Sequence, residues 1–288
     1  MHLPGRAPRA APATVPTAVR ASAVEVAARA ATRAGVRIRL AEDFAAVEAV
    51  SRFLAGVWQT PEHQPPLGVD ALRAFAHAGG AVHYSSDGGE VIAASVLLFC
   101  RPASQAVYSV IAAARTSDRG VGFALKQAQR VWALDHGATS MAWTFDPLVS
   151  RNAHFNLAKL GAAATEYRVN FFGPIDDGVN GHDETDRLTA VWPLSGPWPV
   201  HVTGPDFAVA DVDGGSAPDG RPFSARDENG YWCRVPADIV TTRHQDRELA
   251  AEWREAVRGV LLPAFDAGFT ATGFSRSGWY RLTRTEQP

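Results

Sequence analysis

From Val107 to Gly161 the chain runs strand, glycine loop, helix, strand, helix with almost no slack, and few folds accommodate that order. Val107–Ala114 is apolar and extended in character and leads into Ser117-Asp118-Arg119-Gly120-Val121-Gly122, which enters a helix at Phe123-Ala124 without a break. Two glycines at such a junction let backbone N–H groups approach an anion, and the first turn of the helix adds unpaired donors and the positive end of its dipole. The junction reads as a pyrophosphate cradle. A bare Gly-x-Gly is common in α/β proteins, and the loop has neither the third glycine of a dinucleotide fingerprint nor the Gly-Lys-Ser/Thr of a nucleotide-phosphate loop. The helix runs to His136, Ser140–Phe145 follows as an apolar strand, and Arg151–Gly161 as a second helix ending in glycine.

The flanking segments fit one α/β layer. Val36–Leu40 alternates with period two and predicts a half-buried first strand. Asp43 is placed to cap a helix whose apolar positions Phe44, Val47, Val50, Leu54 and Val57 recur at three and four. After a proline-punctuated loop, Val69–Ala78 predicts a short helix stopped by Gly79-Gly80. Ala81–Ser85 and Val91–Cys100 pair as a hairpin around Asp87-Gly88-Gly89. Beyond Leu194, residues 196–229 are polar and rich in Gly and Asp and read as a linker. A strand at Trp232–Pro236, an amphipathic helix over Arg247–Gly268 that Pro263 kinks or divides, and a closing hairpin make up residues 230–288. That extension continues the sheet, covers one face or forms the interface of a homodimer, and composition does not decide among these.

Charge and cysteine usage exclude several classes. A net charge of −2 gives no electrostatic case for a nucleic-acid partner. Cys100 and Cys233 cannot build a disulfide framework or a thiolate metal set, which fits a reducing cytoplasm. No apolar run reaches the roughly 18 residues that span a bilayer. Residues 1–34 are rich in Ala, Pro and Arg with Glu25 as the single acid, so they are expected to be a disordered extension or the product of an early start codon, outside the fold. The core is then residues 35–195.

Arg-Gly-Val-Gly at residues 119–122, with Asn152-Ala153, Phe155-Asn156 and Lys159-Leu160-Gly161 in the second helix, resembles the GNAT acyltransferase superfamily. The resemblance implies a mixed, mostly antiparallel sheet with a central pair of parallel strands that splay apart, flanked by helices. It implies acyl-coenzyme A, as acetyl-CoA or succinyl-CoA, lying between Val107–Ala114 and Ser140–Phe145. The backbone of Ile111, Ala112 and Ala113 would pair with the pantetheine arm as an added strand does. The pyrophosphate would rest on Ser117, Asp118, Arg119, Gly120, Val121, Gly122, Phe123 and Ala124, with Asn152, Asn156 and Lys159 as further cofactor contacts. The chain departs from the family pattern twice: Ser117 stands where Gln or Arg usually opens the loop, and Leu157 where many members carry the tyrosine that protonates the departing thiolate. Asp146 and Tyr167 are the candidate substitutes, against plainer roles as a turn former and a strand residue.

The segment from Trp143 to Leu188 resembles more narrowly a group of acyltransferases associated with N-acylamino-acid racemases. This implies acyl transfer to the α-amine of an amino acid by direct attack on the thioester. The acidic stretch Ile175–Arg187 is a solvated loop or an acceptor site in which carboxylates hold an ammonium and Arg187 a carboxylate; Asp177, Asn180 and Arg187 are the candidates. Its spacing fails that of a calcium loop, the histidines form no ligand set, and no G-x-S-x-G elbow is present, so neither a metal site nor a Ser-His-Asp hydrolase is expected. Two alternatives share the glycine loop: a coenzyme-A-binding module whose catalysis has decayed, and a nucleotide-binding protein.

Overall fold

The computed structural model describes residues 15–61, 63–115, 120–175, 177–178, 183–196, 201–206, 210–212 and 216–284. Twelve strands form one sheet: β1 (Arg39–Leu40), β2 (Ala81–Asp87), β3 (Glu90–Phe99), β4 (Ala106–Ala114), β5 (Ser140–Phe145), β6 (Ala163–Arg168), β7 (Arg187–Pro193), β8 (Asp211–Val212), β9 (Ser224–Asp227), β10 (Gly230–Arg234), β11 (Phe269–Phe274) and β12 (Trp279–Arg284). Their spatial order is β1-β2-β3-β4-β5-β7-β6-β11-β12-β10-β9-β8. Every neighbouring pair is antiparallel except β4 and β5. This is the mixed sheet the resemblance implies.

Period-two patterning puts helices on both faces. Val82 and Val96 pack with α2 (Phe44–Trp58) and α3 (Val69–His77), while their neighbours Ala81 and Leu97 turn to the other face, toward α4 (Val121–Asp135). Asp43 caps α2 as expected, its Oδ1 accepting from the Ala46 N–H at 2.7 Å. The buried stripe Val47, Val50 and Leu54 then contributes roughly 1.5–3 kcal/mol per side chain removed from water. Gly88 and Gly89, with φ of 56° and 88°, make the tight β2–β3 turn that other residues resist.

Three expectations need correction. Residues 17–34 are not outside the fold: Thr17–Ala34 is helix α1, which lies over α4 with Ala23 fully buried and Arg20 paired to Asp135. An Ala/Arg-rich helix whose one buried residue is an alanine carries no apolar stripe, so periodicity missed it. The stretch expected to be linker supplies β8 and β9, and β9 pairs with β10. Helix α7 (Arg247–Asp266) is not divided by Pro263. Helix α6 (Ile239–Gln245) precedes it.

The extension continues the sheet through Ala271 opposite Ala164, and α7 buries Trp253, Val257 and Leu261 in the same core as β6 and β7. A set of ion pairs reinforces this junction. Arg258 is bidentate on Asp186 at 2.8 Å, Arg254 Nε donates to Asp183 at 2.8 Å, and Arg243 Nε donates to Asp183 at 2.9 Å. Among the described residues, no helix is long and apolar enough to cross a membrane.

Candidate functional site

Strands β4 and β5 pair over three rungs only, Ala106 with Ser140, Val107 with Met141 and Tyr108 with Ala142. Beyond Tyr108 they part. β4 stays with β3 but bulges at Val110, since Leu97 opposes Ser109 while Val96 opposes Ile111. β5 stays with β7, pairing Trp143 to Ala190 and Phe145 to Leu188. A bulge bends its strand and sharpens the local twist, which peels β4 away from a β5 held straight by its other neighbour. The wedge between them opens into a cleft of about 2970 Å³, several times the roughly 300–1,000 Å³ of a drug-sized pocket. Ile111, Ala112 and Ala113 line it.

At one end stands the N-terminus of α4. Gly120 sits at φ 79° as its N-cap, a conformation that explains the glycine, and no side chain caps the turn. The first intrahelical bond runs from the Ala124 N–H to the Gly120 carbonyl at 3.0 Å, so the N–H groups of Val121, Gly122 and Phe123 lie ahead of the ladder. Gly120, Gly122 and Phe123 border the cleft; Val121 and Ala124 are buried beneath it. Ser117, Asp118 and Arg119 lie outside the described residues. The second predicted helix starts as α5 (Ser150–Ala153) and widens into a π turn over His154–Lys159, with Leu160 N–H donating to the Phe155 carbonyl at 3.0 Å. Asn152, Asn156 and Lys159 all face the cleft from this segment.

The β5 side of the cleft is built by distant parts of the chain. Asp146, at the end of β5, is 8% exposed: one oxygen accepts from the Leu148 N–H at 2.9 Å and the other from Arg243 Nη2 at 2.6 Å. Arg243 is buried, borders the cleft, and its Nη1 has no hydrogen-bond partner among the described residues. Arg187 borders the same space with its guanidinium 5.2 Å from the Phe172 ring centre. Burial pulls the Arg187 pKa down, and the carboxylates of Asp146, Asp177 and Asp186 oppose that pull. Asp177 lines the cleft too, whereas Asn180 lies outside the described residues.

Tyr167 does not reach the cleft. Its hydroxyl donates to Asp186 Oδ2 at 2.6 Å, and burial, then the Asp186 charge, push its pKa far up. A phenol so tied and so hard to ionise is a structural donor. Of the carboxylates in the acidic stretch, Asp183 and Asp186 are taken by arginines of α6 and α7, which leaves Asp177 as the one seen lining the cleft among the described residues. Two residues that the sequence reading did not single out belong to the site. Arg243 reaches it from 97 residues beyond Asp146, and no local spacing signals such a contact. Lys126 is 5% exposed, and burial lowers its pKa to about 7. A lysine on the inner face of a predicted helix was the available signal. Among the described residues no group of three or more His, Cys, Asp or Glu is arranged to hold a metal.

No protein-family model and no curated protein sequence matches the chain. Solved structures to which the chain is similar include several acetyltransferases. They include the IAA acetyltransferase from Bacillus cereus ATCC 14579 (19% identity, TM-score 0.41, covering 55% of this chain and 99% of that one). A probable acetyltransferase from Staphylococcus epidermidis ATCC 12228 gives 12% identity and TM-score 0.46 over 55% of this chain and 98% of that one. A GNAT family acetyltransferase from Elizabethkingia anophelis, solved with acetyl-CoA bound, gives 15% identity and TM-score 0.39 over 55% and 97%.

Proposed function

We propose that this protein is an acyl-coenzyme-A-dependent N-acyltransferase that moves an acetyl or succinyl group to the amine of a small acceptor, an amino acid or a similar carboxylate-bearing amine. The observation that carries this reading is the parting of β4 and β5 past Tyr108, with a glycine-capped helix N-terminus at one end of the wedge. An extended pantetheine arm fits against the freed edge of Ile111–Ala113 in the manner of an added strand. The first-turn N–H groups of α4 suit a pyrophosphate. On the β5 side, Arg243 offers its Nη1 and Arg187 its positive charge to an acceptor carboxylate. Asp146 holds Arg243 in place in this scheme and is not itself the proton-transfer group. The reaction needs a neutral amine, a polarised thioester carbonyl and their close approach.

Thermal unfolding with acetyl-CoA, succinyl-CoA, free coenzyme A, ATP and NAD in parallel tests the reading, because a ligand of the folded state raises the midpoint by mass action. A rise with one acyl-CoA, followed by thiol release when amino acids are supplied, is the expected outcome. A rise without thiol release for any amine would reduce the protein to a coenzyme-A-binding module. Stabilisation by ATP or NAD and by no coenzyme A species would refute the proposal.

A further inference from the structure

Lys126, one of two lysines in the chain, occupies an unusual place. Its Nζ donates to Ser109 Oγ at 3.0 Å, lies 3.9 Å from the centre of the Trp143 ring and 3.9 Å from Met141 Sδ. Ser109 and Trp143 are the first residues of β4 and β5 beyond their last shared rung. The amine therefore sits at the apex of the wedge, where any chain laid between the strands must end. Gln129 Nε2 also donates to Ser109 Oγ, at 3.2 Å, which turns that hydroxyl's acceptor capacity toward α4. Among the described residues no carboxylate is paired with Lys126, and an ammonium so buried is costly to keep, a cost that the indole face offsets only in part. A packing role alone is met better by leucine or methionine.

We propose that Lys126 is the proton donor to the departing coenzyme A thiolate. This rests on the acyltransferase reading and supplies what Leu157, fully buried in the core, does not. The acceptor amine attacks the carbonyl carbon, the C–S electrons pass to sulfur, and Nζ gives sulfur a proton to yield the free thiol. The neutral Nζ then takes the proton shed by the new amide nitrogen, and the ammonium is restored. Burial alone brings the Lys126 pKa to about 7, so both forms are available near neutral pH. The groups facing it are neutral: Ser109 from β4, Met141 and Trp143 from β5 and Gln129 from its own helix. His83 of β2, under the same helix, is itself held neutral by burial, with a pKa of about 4. Arg130 turns away, its Nε donating to the Leu194 carbonyl at 2.8 Å.

The test compares the full-length wild type with Lys126→Met and Lys126→Arg, measuring thiol release against pH and the acetyl-CoA-induced rise in melting temperature. Wild-type kcat is expected to fall as pH rises through about 7, and Lys126→Met to lose about 10²–10⁴-fold in kcat. Both variants should keep the acetyl-CoA KM, and Lys126→Arg, which cannot lose its proton in this range, should lack the fall. A readout independent of turnover is the melting temperature of the apoprotein. The unfolded chain keeps a lysine proton up to its ordinary pKa of 10.5 while the folded one sheds it near 7, so stability should rise with pH over that interval in the wild type and not in Lys126→Met. Thiol release by Lys126→Met with the wild-type kcat and pH profile, or stable acetylation of Lys126 in the intact mass, would overturn the proposal alone. A wild type that neither binds a coenzyme A species nor releases thiol would overturn the acyltransferase reading, and this proposal with it.

Discussion

Replacing Arg258 with methionine keeps the aliphatic stem and removes the guanidinium from Asp186. That carboxylate is 1% exposed and accepts from Arg258 Nε and Nη2, both at 2.8 Å, from the Tyr167 hydroxyl at 2.6 Å and from the Asn170 N–H at 2.9 Å. The variant would leave two neutral donors facing a buried charge. Breaking a buried pair from one side costs about 3–5 kcal/mol, and because the Arg258 side chain is 17% exposed the lower end applies, about 3 kcal/mol. At roughly 2–4 °C per kcal/mol for a chain of this size class, the melting temperature should fall by about 6–12 °C. Urea unfolding followed by tryptophan fluorescence measures the free energy directly. The pairs join α7 to the β6–β7 end of the core, so core and extension should still unfold in one transition. A loss below about 1 kcal/mol, the value of a surface pair, would refute the reasoning. So would two resolved transitions in the wild type.

Tyr167→Phe should cost about 1.5–3 kcal/mol, the value of a hydrogen bond to a charged group. It should leave kcat within a few-fold, and a loss of 10²-fold or more would return the tyrosine to the chemistry. Arg243→Met should raise the KM of a carboxylate-bearing acceptor by about tenfold or more while acetyl-CoA binding is unchanged, and an unaltered acceptor KM would remove Arg243 from the acceptor site. His83 is buried with its pKa lowered to about 4, so below its ordinary 6.5 the unfolded chain binds a proton that the folded one refuses. Stability should therefore decline as pH falls from about 6.5 to 4, by about 3 kcal/mol in all; His83→Gln should flatten that decline in urea titrations, and parallel curves for the two proteins would contradict it.

The parts legible in the sequence are those where one segment carries its own signal. β5 alternates buried Met141, Trp143 and Phe145 with half-buried Ser140, Ala142 and Thr144, and Gly88-Gly89 announces a turn by a backbone demand few other residues meet. Gly120, at φ 79°, announced the cap that opens α4 for the same reason. What stayed hidden depends on convergence. The Asp146–Arg243 pair joins the end of a strand to a short helix in the extension, and Asp183, Glu184 and Asp186, in the stretch that reads as a solvated loop or an acceptor site, are held by arginines from the far end of the chain. Tyr167 illustrates the opposite error. Proximity in sequence to the second helix suggested chemistry, whereas strand register turns its hydroxyl to Asp186.

A twelve-stranded sheet has two rims, and here each is only two residues long in the described structure, Arg39–Leu40 at one side and Asp211–Val212 at the other. Without residues 230–288, β6 would be a rim of six residues offering open donors and acceptors to any passing strand. The extension thus exchanges a long, adhesive border for a stub. It follows that truncating the chain after the core should produce a protein prone to associate through β6, besides stripping Arg243 from its cleft.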